Sequence, residues 1–164
     1  MSTSPIFFWR QNEIPYGVLC QWHPSRFTDQ DGVEWQNMEQ YIMGKKAELF
    51  KDQRSYDRIR QDSTPSRCKA VGRQVLNFDE KIWKKKAPLL AYIGNSMKFE
   101  QNPNLRRVLL STGARPLYEA SPTDKIWGIG LDAKSAAERD LNEFPGTNLL
   151  GKALMKVRAK LQDI

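Results

Sequence analysis

Two cysteines and one histidine are all this 164-residue chain has of the side chains that most often bind metal or act as nucleophiles. Cys20 and Cys68 close one bridge at most, so no disulfide scaffold is encoded. Both read as reduced thiols of a reducing, cytoplasmic compartment. His23 is followed by Pro24, and one His with two distant Cys does not supply a zinc site of the usual spacing. The same shortage leaves no Cys–His relay, so metal-hydrolase and cysteine-protease chemistry are excluded. Long apolar runs are missing too. None approaches the roughly 20 residues a membrane-spanning helix needs. The start lacks a basic segment, and its apolar run covers only Ile6 to Trp9, so no signal peptide is expected. Repeats, low-complexity stretches and linkers are also lacking, which predicts a single domain over residues 1–164.

Positive charge is present in surplus. Lys and Arg number 26 against 19 Asp and Glu, a formal charge of +7, which favours anionic partners such as phosphates or nucleic acid. A merely soluble basic surface has the same composition. Hydrophobic residues make up 40% and include seven Phe, five Trp and five Tyr, enough for a folded core.

Ile6 to Trp9 and Tyr16 to Trp22 read as short strands, and Asp31-Gly32 as a turn. Helical punctuation then takes over. Asn37 with Gln40 has capping-box spacing and opens a helix from Met38 to about Phe50. Thr64-Pro65 opens another to about Leu76, and Asp79 caps a long stretch that Pro88 is expected to kink or interrupt. Asn102-Pro103 opens a helix through Leu110 that Gly113 closes. Leu117 to Ala120 reads as a strand, and a last helix begins near Asn148 with the stripe Leu150, Leu154, Val157, Leu161. The expected fold is mainly α with a small antiparallel β-sheet.

Several constellations could carry chemistry. In the first helix, Met38, Tyr41, Ile42 and Leu49 share one face, while Glu39, Met43, Lys46 and Phe50 share the adjacent flank. Glu39 sits in the first turn, where the helix dipole favours its ionised form and apolar neighbours oppose it. It reads either as ordinary dipole complementarity or as a general base or cation-stabilising group. Lys69 and Arg73 lie four apart with Gly72 beside them, suited to a phosphate or to a solvated face. Lys84, Lys85 and Lys86 wrap around their helix and read as surface charge, as does the row Lys152, Lys156, Lys160. Arg158 instead projects beside the apolar stripe, as for an anion contact or a buried ion pair. The densest stretch is Glu119-Ala-Ser-Pro-Thr-Asp-Lys-Ile-Trp-Gly-Ile-Gly130. Asp124 falls on a loop, Trp127 offers a flat face, and Gly128 and Gly130 permit close backbone approach. Neither Rossmann nor P-loop spacing follows, so the stretch reads as a binding loop or as a turn anchored by Trp in the core.

These blocks together resemble the successive motifs of the NADAR, or YbiA-like, family. They are Glu39-Gln-Tyr-Ile-Met-Gly-Lys-Lys46-Ala, Lys69-Ala-Val-Gly-Arg73, Lys98-Phe99, Leu109-Leu-Ser-Thr-Gly113, the Glu119–Gly130 stretch and Asn148-Leu-Leu-Gly-Lys-Ala-Leu-Met-Lys-Val-Arg158. The resemblance implies a largely helical YbiA-like fold and an N-glycosidase. Such enzymes cleave C–N glycosidic bonds in riboflavin-pathway intermediates or remove ADP-ribose from modified guanine in nucleic acid. It assigns the family's acid, aspartate and tryptophan to Glu39, Asp124 and Trp127. Lys46, Lys69, Arg73 and Arg158 are candidates for the substrate's phosphates, and Gly128, Gly130 and Asn148 are further substrate-binding candidates. One departure concerns substrate choice: where the family commonly has Ser-Asn-Phe, this chain has Cys20-Gln21-Trp22, which places Gln21 and Trp22 among the substrate-facing candidates. N-glycosidic cleavage builds positive charge on the ribose. Glu39 suits the sugar side and Asp124 the water. The reaction requires no metal or redox cofactor. The expected substrate is a phosphorylated, nucleotide-like molecule, free or within ADP-ribosylated DNA or RNA. A rival from another class is a non-catalytic basic module that binds ADP-ribose or nucleic acid.

Overall fold

The computed structural model describes residues 2–163. In chain order these form β1 (Ile6–Phe8), a 3-10 helix (Tyr16–Leu19), β2 (Phe27–Thr28), β3 (Glu34–Trp35), α1 (Met38–Leu49) and α2 (Gln53–Gln61). There follow α3 (Pro65–Gly72), α4 (Glu80–Gln101), α5 (Pro103–Ser111), β4 (Leu117–Glu119), α6 (Ala133–Ala137) and α7 (Leu149–Gln162). The architecture is mainly helical, as expected, but the strands form two pairs. β2 and β3 are antiparallel across the Asp31-Gly32 turn, while β1 and β4 are parallel. The chain divides into two compact units, one running from Gln21 to Asn102 and the other made of the segments before and after it.

In the central unit, α1 packs against α2, α3, α4 and β3. Every residue from Met38 to Lys45 is buried, so the helix is enclosed rather than apolar on one face. The expected cap forms: Asn37 Oδ1 accepts from the Gln40 amide at 2.8 Å. The Gln40 side chain turns back to the Gln36 amide (2.9 Å) and also donates to the Ile59 carbonyl (3.0 Å), tying α1 to α2. The β2–β3 hairpin centres on buried Asp29, which accepts from the amides of Asp31 and Val33 and from the Trp35 indole, each at 2.9 Å. Burial opposes ionisation of Asp29, but these donors and the nearby Lys45 outweigh it and hold the carboxyl below its usual range.

The structure adds one helix, corrects two expectations and shows that Pro88 does not interrupt its helix. α2 has no counterpart in the sequence pattern: only Ser55 and Ile59 are buried on it, so it carries no apolar stripe to detect. Its start is nonetheless marked by Asp52, which accepts from the Ser55 amide (3.1 Å) and hydroxyl (2.6 Å). α3 ends at Gly72 rather than near Leu76, with Lys46 Nζ donating to its terminal carbonyl at 2.8 Å. α4 runs through Pro88 without ending. Pro88 is exposed, and so is Lys84, whose carbonyl loses its helical partner but is left on the water side. Tyr16–Trp22 is not a strand; the Gly17 amide donates to the Glu13 carbonyl (2.7 Å) and the Cys20 amide to the Gly17 carbonyl (3.0 Å), closing local turns instead.

In the other unit, β1 pairs with β4 in register from Ile6–Leu117 to Phe8–Glu119, and α7 covers β4. The predicted stripe of Leu150, Leu154, Val157 and Leu161 is fully buried. α5 stops at the Gly113 turn, in the left-handed region at φ +60°. A satellite cluster of Ala120, Ile129 and Ala136 lies under Phe7, Tyr118 and Phe144, whose rings contact one another.

Candidate active site

The loop after β4 is built by Asp124. Its Oδ1 accepts from the amides of Ile126 (2.9 Å) and Trp127 (2.8 Å), and its own amide donates to Ser121 Oγ at 3.2 Å. This side-chain turn sets where Trp127 stands. Trp127 is half-buried. Asp124 Oδ2 has no hydrogen-bond partner among the described residues, which leaves one carboxylate oxygen for chemistry.

The start of α7 closes on the same loop. Amides of Thr147, Asn148, Leu149 and Leu150 donate to the carbonyls of Lys125, Gly128, Ile126 and Trp127, at 2.9 to 3.1 Å. These are donors a helix N-terminus otherwise offers to an anion, and here they fasten the loop to α7 instead. Asn148 adopts a left-handed conformation (φ 51°) and does not cap the helix. Its buried amide instead donates to the Leu117 carbonyl (2.9 Å) and accepts from the Glu119 amide (3.1 Å), clamping β4. A Cβ at Gly128 would lie 2.8 Å from the Glu119 carbonyl, and Gly130 needs φ +73°. The close approach each glycine allows is therefore to the chain's own atoms. Arg158 is buried, and its Nη1 donates to Thr112 Oγ1 and the Arg115 carbonyl, both at 2.8 Å. Burial lowers the pKa of this guanidinium.

Glu39 stands in the first turn of α1, in the central unit, and is 6% exposed. Its amide donates to the Gln21 carbonyl at 3.0 Å. Gln21 is buried as well, and its side-chain Oε1 has no partner among the described residues. Trp22 is half-buried beside it in sequence. Two titratable neighbours register the Glu39 charge. Burial holds the Lys46 amine below its usual range, and the Glu39 carboxylate offsets only part of that. Burial, then the charges of Glu39 and Asp62, push the Cys68 thiol up to about 12. Cys68 is therefore a neutral thiol, donating to the Asp62 carbonyl at 3.1 Å, and not a nucleophile.

Lys46 is half-buried rather than solvated. Lys69 is half-buried on α3 and Arg73 is exposed at its C-cap. The Gly72 between them makes its close approach to Met43, into which any Cβ would run. Sequence reasoning does not reveal a cavity of about 310 Å³ between α2 and α3, lined by Arg58, Gln61, Asp62, Arg67, Cys68 and Val71 among others. Its arginines sit on exposed helix faces, where a guanidinium in the sequence looks like any solvated charge. Among the described residues no group of His, Cys, Asp and Glu is placed to hold a metal ion, and no helix is long and apolar enough to cross a membrane.

Residues 7–162 match the model of the NADAR domain. The chain is 42% identical over 164 residues to an N-glycosidase of Acanthamoeba polyphaga mimivirus, covering 96% of each. It is 29% identical over 160 residues to a riboflavin biosynthesis protein of Vibrio vulnificus, spanning 97% of this chain and 39% of that one. The solved structure of YbiA from Escherichia coli superposes with a TM-score of 0.80 at 27% identity, covering 99% of this chain and 88% of that one. With nearly its whole length inside the family model and the loop, cap and helix motifs in family order, the chain belongs to the NADAR domain family.

Proposed function

We propose that this protein is an N-glycosidase that hydrolyses the bond between ADP-ribose and a modified guanine in nucleic acid. The observation that carries the reading is Glu39, a carboxylate buried at the capped start of α1 with a lysine amine within its field. Buried negative charge is what an oxocarbenium-like transition state requires from its surroundings. In the proposed step, water adds to the anomeric carbon and loses a proton. The C–N bond breaks with its electron pair going to the base nitrogen, which takes up a proton. The products are ADP-ribose and the restored guanine. Glu39 faces the developing cation, and Asp124, through Oδ2, takes the proton from water. Trp127 stacks on the base or ribose and excludes solvent. Lys46, Lys69 and Arg73 receive phosphate oxygens, and Gln21 and Trp22 read the base. Gly128, Gly130 and Asn148 contribute by shaping the loop, and Arg158 by bracing the segment between α5 and β4. The step uses charge and water and invokes no metal or redox cofactor. A reducing, cytoplasmic setting fits the two cysteines, which form no disulfide.

The net charge of +7 supports a polymeric over a small free substrate. A second reading, cleavage of ribosylaminopyrimidine intermediates, is favoured by the similarity to the Vibrio vulnificus riboflavin biosynthesis protein. Incubation with DNA carrying ADP-ribosylated guanine, and separately with ribosylaminopyrimidines, decides between them. Free ADP-ribose from the first only is the expected result. Release of sugar phosphate from the second only would establish the alternative. Binding without turnover of either, unaffected by Glu39→Gln, would establish a non-catalytic module.

A further inference from the structure

The central unit exposes more apolar surface near the Glu39 helix than a solvated face needs. Leu76 is 64% exposed, Phe78 46%, Ile82 49% and Leu89 47%. Scattered exposed apolar side chains are ordinary, but these cluster on one short stretch. The stretch is also firmly held. The Leu76 amide donates to Asp52 Oδ2 at 2.9 Å, Asn77 takes a left-handed turn, and the Phe78 ring meets Phe50 edge-on at 5.3 Å. Phe78 is thus presented to solvent by the fold, not by fraying. Lys46 Nζ lies 4.5 Å from the Phe78 ring and 5.6 Å from that of half-buried Trp83, and it is the same amine that feels Glu39. Two exposed cations lie beside this aromatic pair: Arg73 follows the Gly72 carbonyl that Lys46 holds, and Lys86 stands three residues on from Trp83 on the same side of α4, while Lys84 is paired with Glu80 at 3.0 Å.

We infer that Phe78 and Trp83 form a stacking platform for unpaired bases of single-stranded nucleic acid, with the flanking cations taking its phosphates. The inference rests on the reading that the substrate is a modified base within a polymer, and it names the strand form and the surface. An aromatic face flanked by exposed cations matches a strand that alternates flat bases with phosphates. In a duplex the base faces are covered by their neighbours, so only an unpaired strand fits.

The test is binding of an unmodified, fluorescently labelled 15-nucleotide thymidine strand and of a duplex of equal length, by anisotropy across a salt series. The wild-type protein binds the single strand several-fold more tightly than the duplex. Phe78→Leu keeps the apolar bulk, melts like wild type and weakens strand binding on the order of tenfold with the salt slope unchanged. Phe78→Trp preserves binding and carries the test if the Leu variant is unstable. Lys86→Gln flattens the slope of log affinity against log salt by about 0.7 for the phosphate no longer neutralised. Wild-type affinity in a well-folded Phe78→Leu variant, or a preference for duplex or for anionic phosphatidylserine vesicles, would overturn the platform. Because the strand carries no ADP-ribose, strand binding without turnover of the modified base sinks the substrate reading and leaves the platform standing.

Discussion

Glu39 has little room to be an ordinary first-turn acid, because such residues are usually solvated and this one is enclosed by α1's own packing partners. If it faces the oxocarbenium ion, Glu39→Gln removes charge while keeping shape, and turnover falls at least about a hundredfold with the fold intact. Single-turnover assays on ADP-ribosylated DNA measure this directly, and a near-normal rate would reassign the residue. Trp127 poses a different question. Its backbone is strapped by Asp124 on one side and by the Leu150 amide on the other, so the indole is not what holds the loop. Trp127→Ala is therefore expected to cost less stability than the roughly 3–5 kcal/mol typical of a buried Trp, yet to lose most activity. Trp127→Phe is expected to recover part of that activity through its remaining face. Full activity in the Ala variant, with thermal melting and kcat measured together, would show that Trp127 only fills space.

At the level of elements, what was legible had local chemistry behind it. Asn37 with Gln40, Asp79, and the α7 stripe announced themselves because caps and periodicity act over a few residues. α2 did not, since it buries only two side chains and so carries no apolar stripe. The parallel β1–β4 pair depends on segments far apart in the chain, which no local pattern reports. The candidate site divides the same way. Glu39, Asp124 and Trp127 stood out by residue type and motif, whereas the buried state of Gln21 and the α2–α3 cavity come only from packing. Asn148 shows how a residue can be seen while the bonds it makes are not. The sequence marks it as a helix start and a ligand candidate, but its side chain clamps β4. Asn148→Ala leaves the buried Leu117 carbonyl and Glu119 amide unmet and is expected to destabilise by about 2–4 kcal/mol. Asn148→Gly relaxes the left-handed backbone but restores neither bond, so it should gain back no more than about 1 kcal/mol. Chemical denaturation of both variants separates the two causes, and a fully stable Gly variant would mean that conformation alone selects Asn.

For the molecule as a whole, acid stability depends on where its depressed carboxyls lie. Asp29, Asp52 and Asp62 belong to the central unit and Asp132 to the other, and each is held below its usual range by donors. A carboxyl whose folded pKa is depressed binds fewer protons folded than unfolded. Its contribution is present in full above the unfolded value of about 4 and is lost as pH falls through the folded value. Asp62, held at about 2 by Thr64 and Arg67, and Asp132, held by Ser135, lie at the surface and are screened. Asp29 and Asp52 are buried, with Trp35, Val33 and Asp31 donating to the first and Leu76 and Ser55 to the second. These two should therefore dominate the acid limb. Asn in place of Asp29 keeps one acceptor oxygen but sets its NH2 group against either the Asp31 and Val33 amides or the Trp35 indole and the Lys45 amine. Asp29→Asn is thus expected to melt lower than wild type at pH 7 and to lose less further stability between pH 5 and pH 3, so that the curves converge. Asp132→Asn should track wild type throughout. Melting curves at pH 7, 5 and 3 decide the matter: parallel curves for wild type and Asp29→Asn would show that the acid limb comes from charges elsewhere.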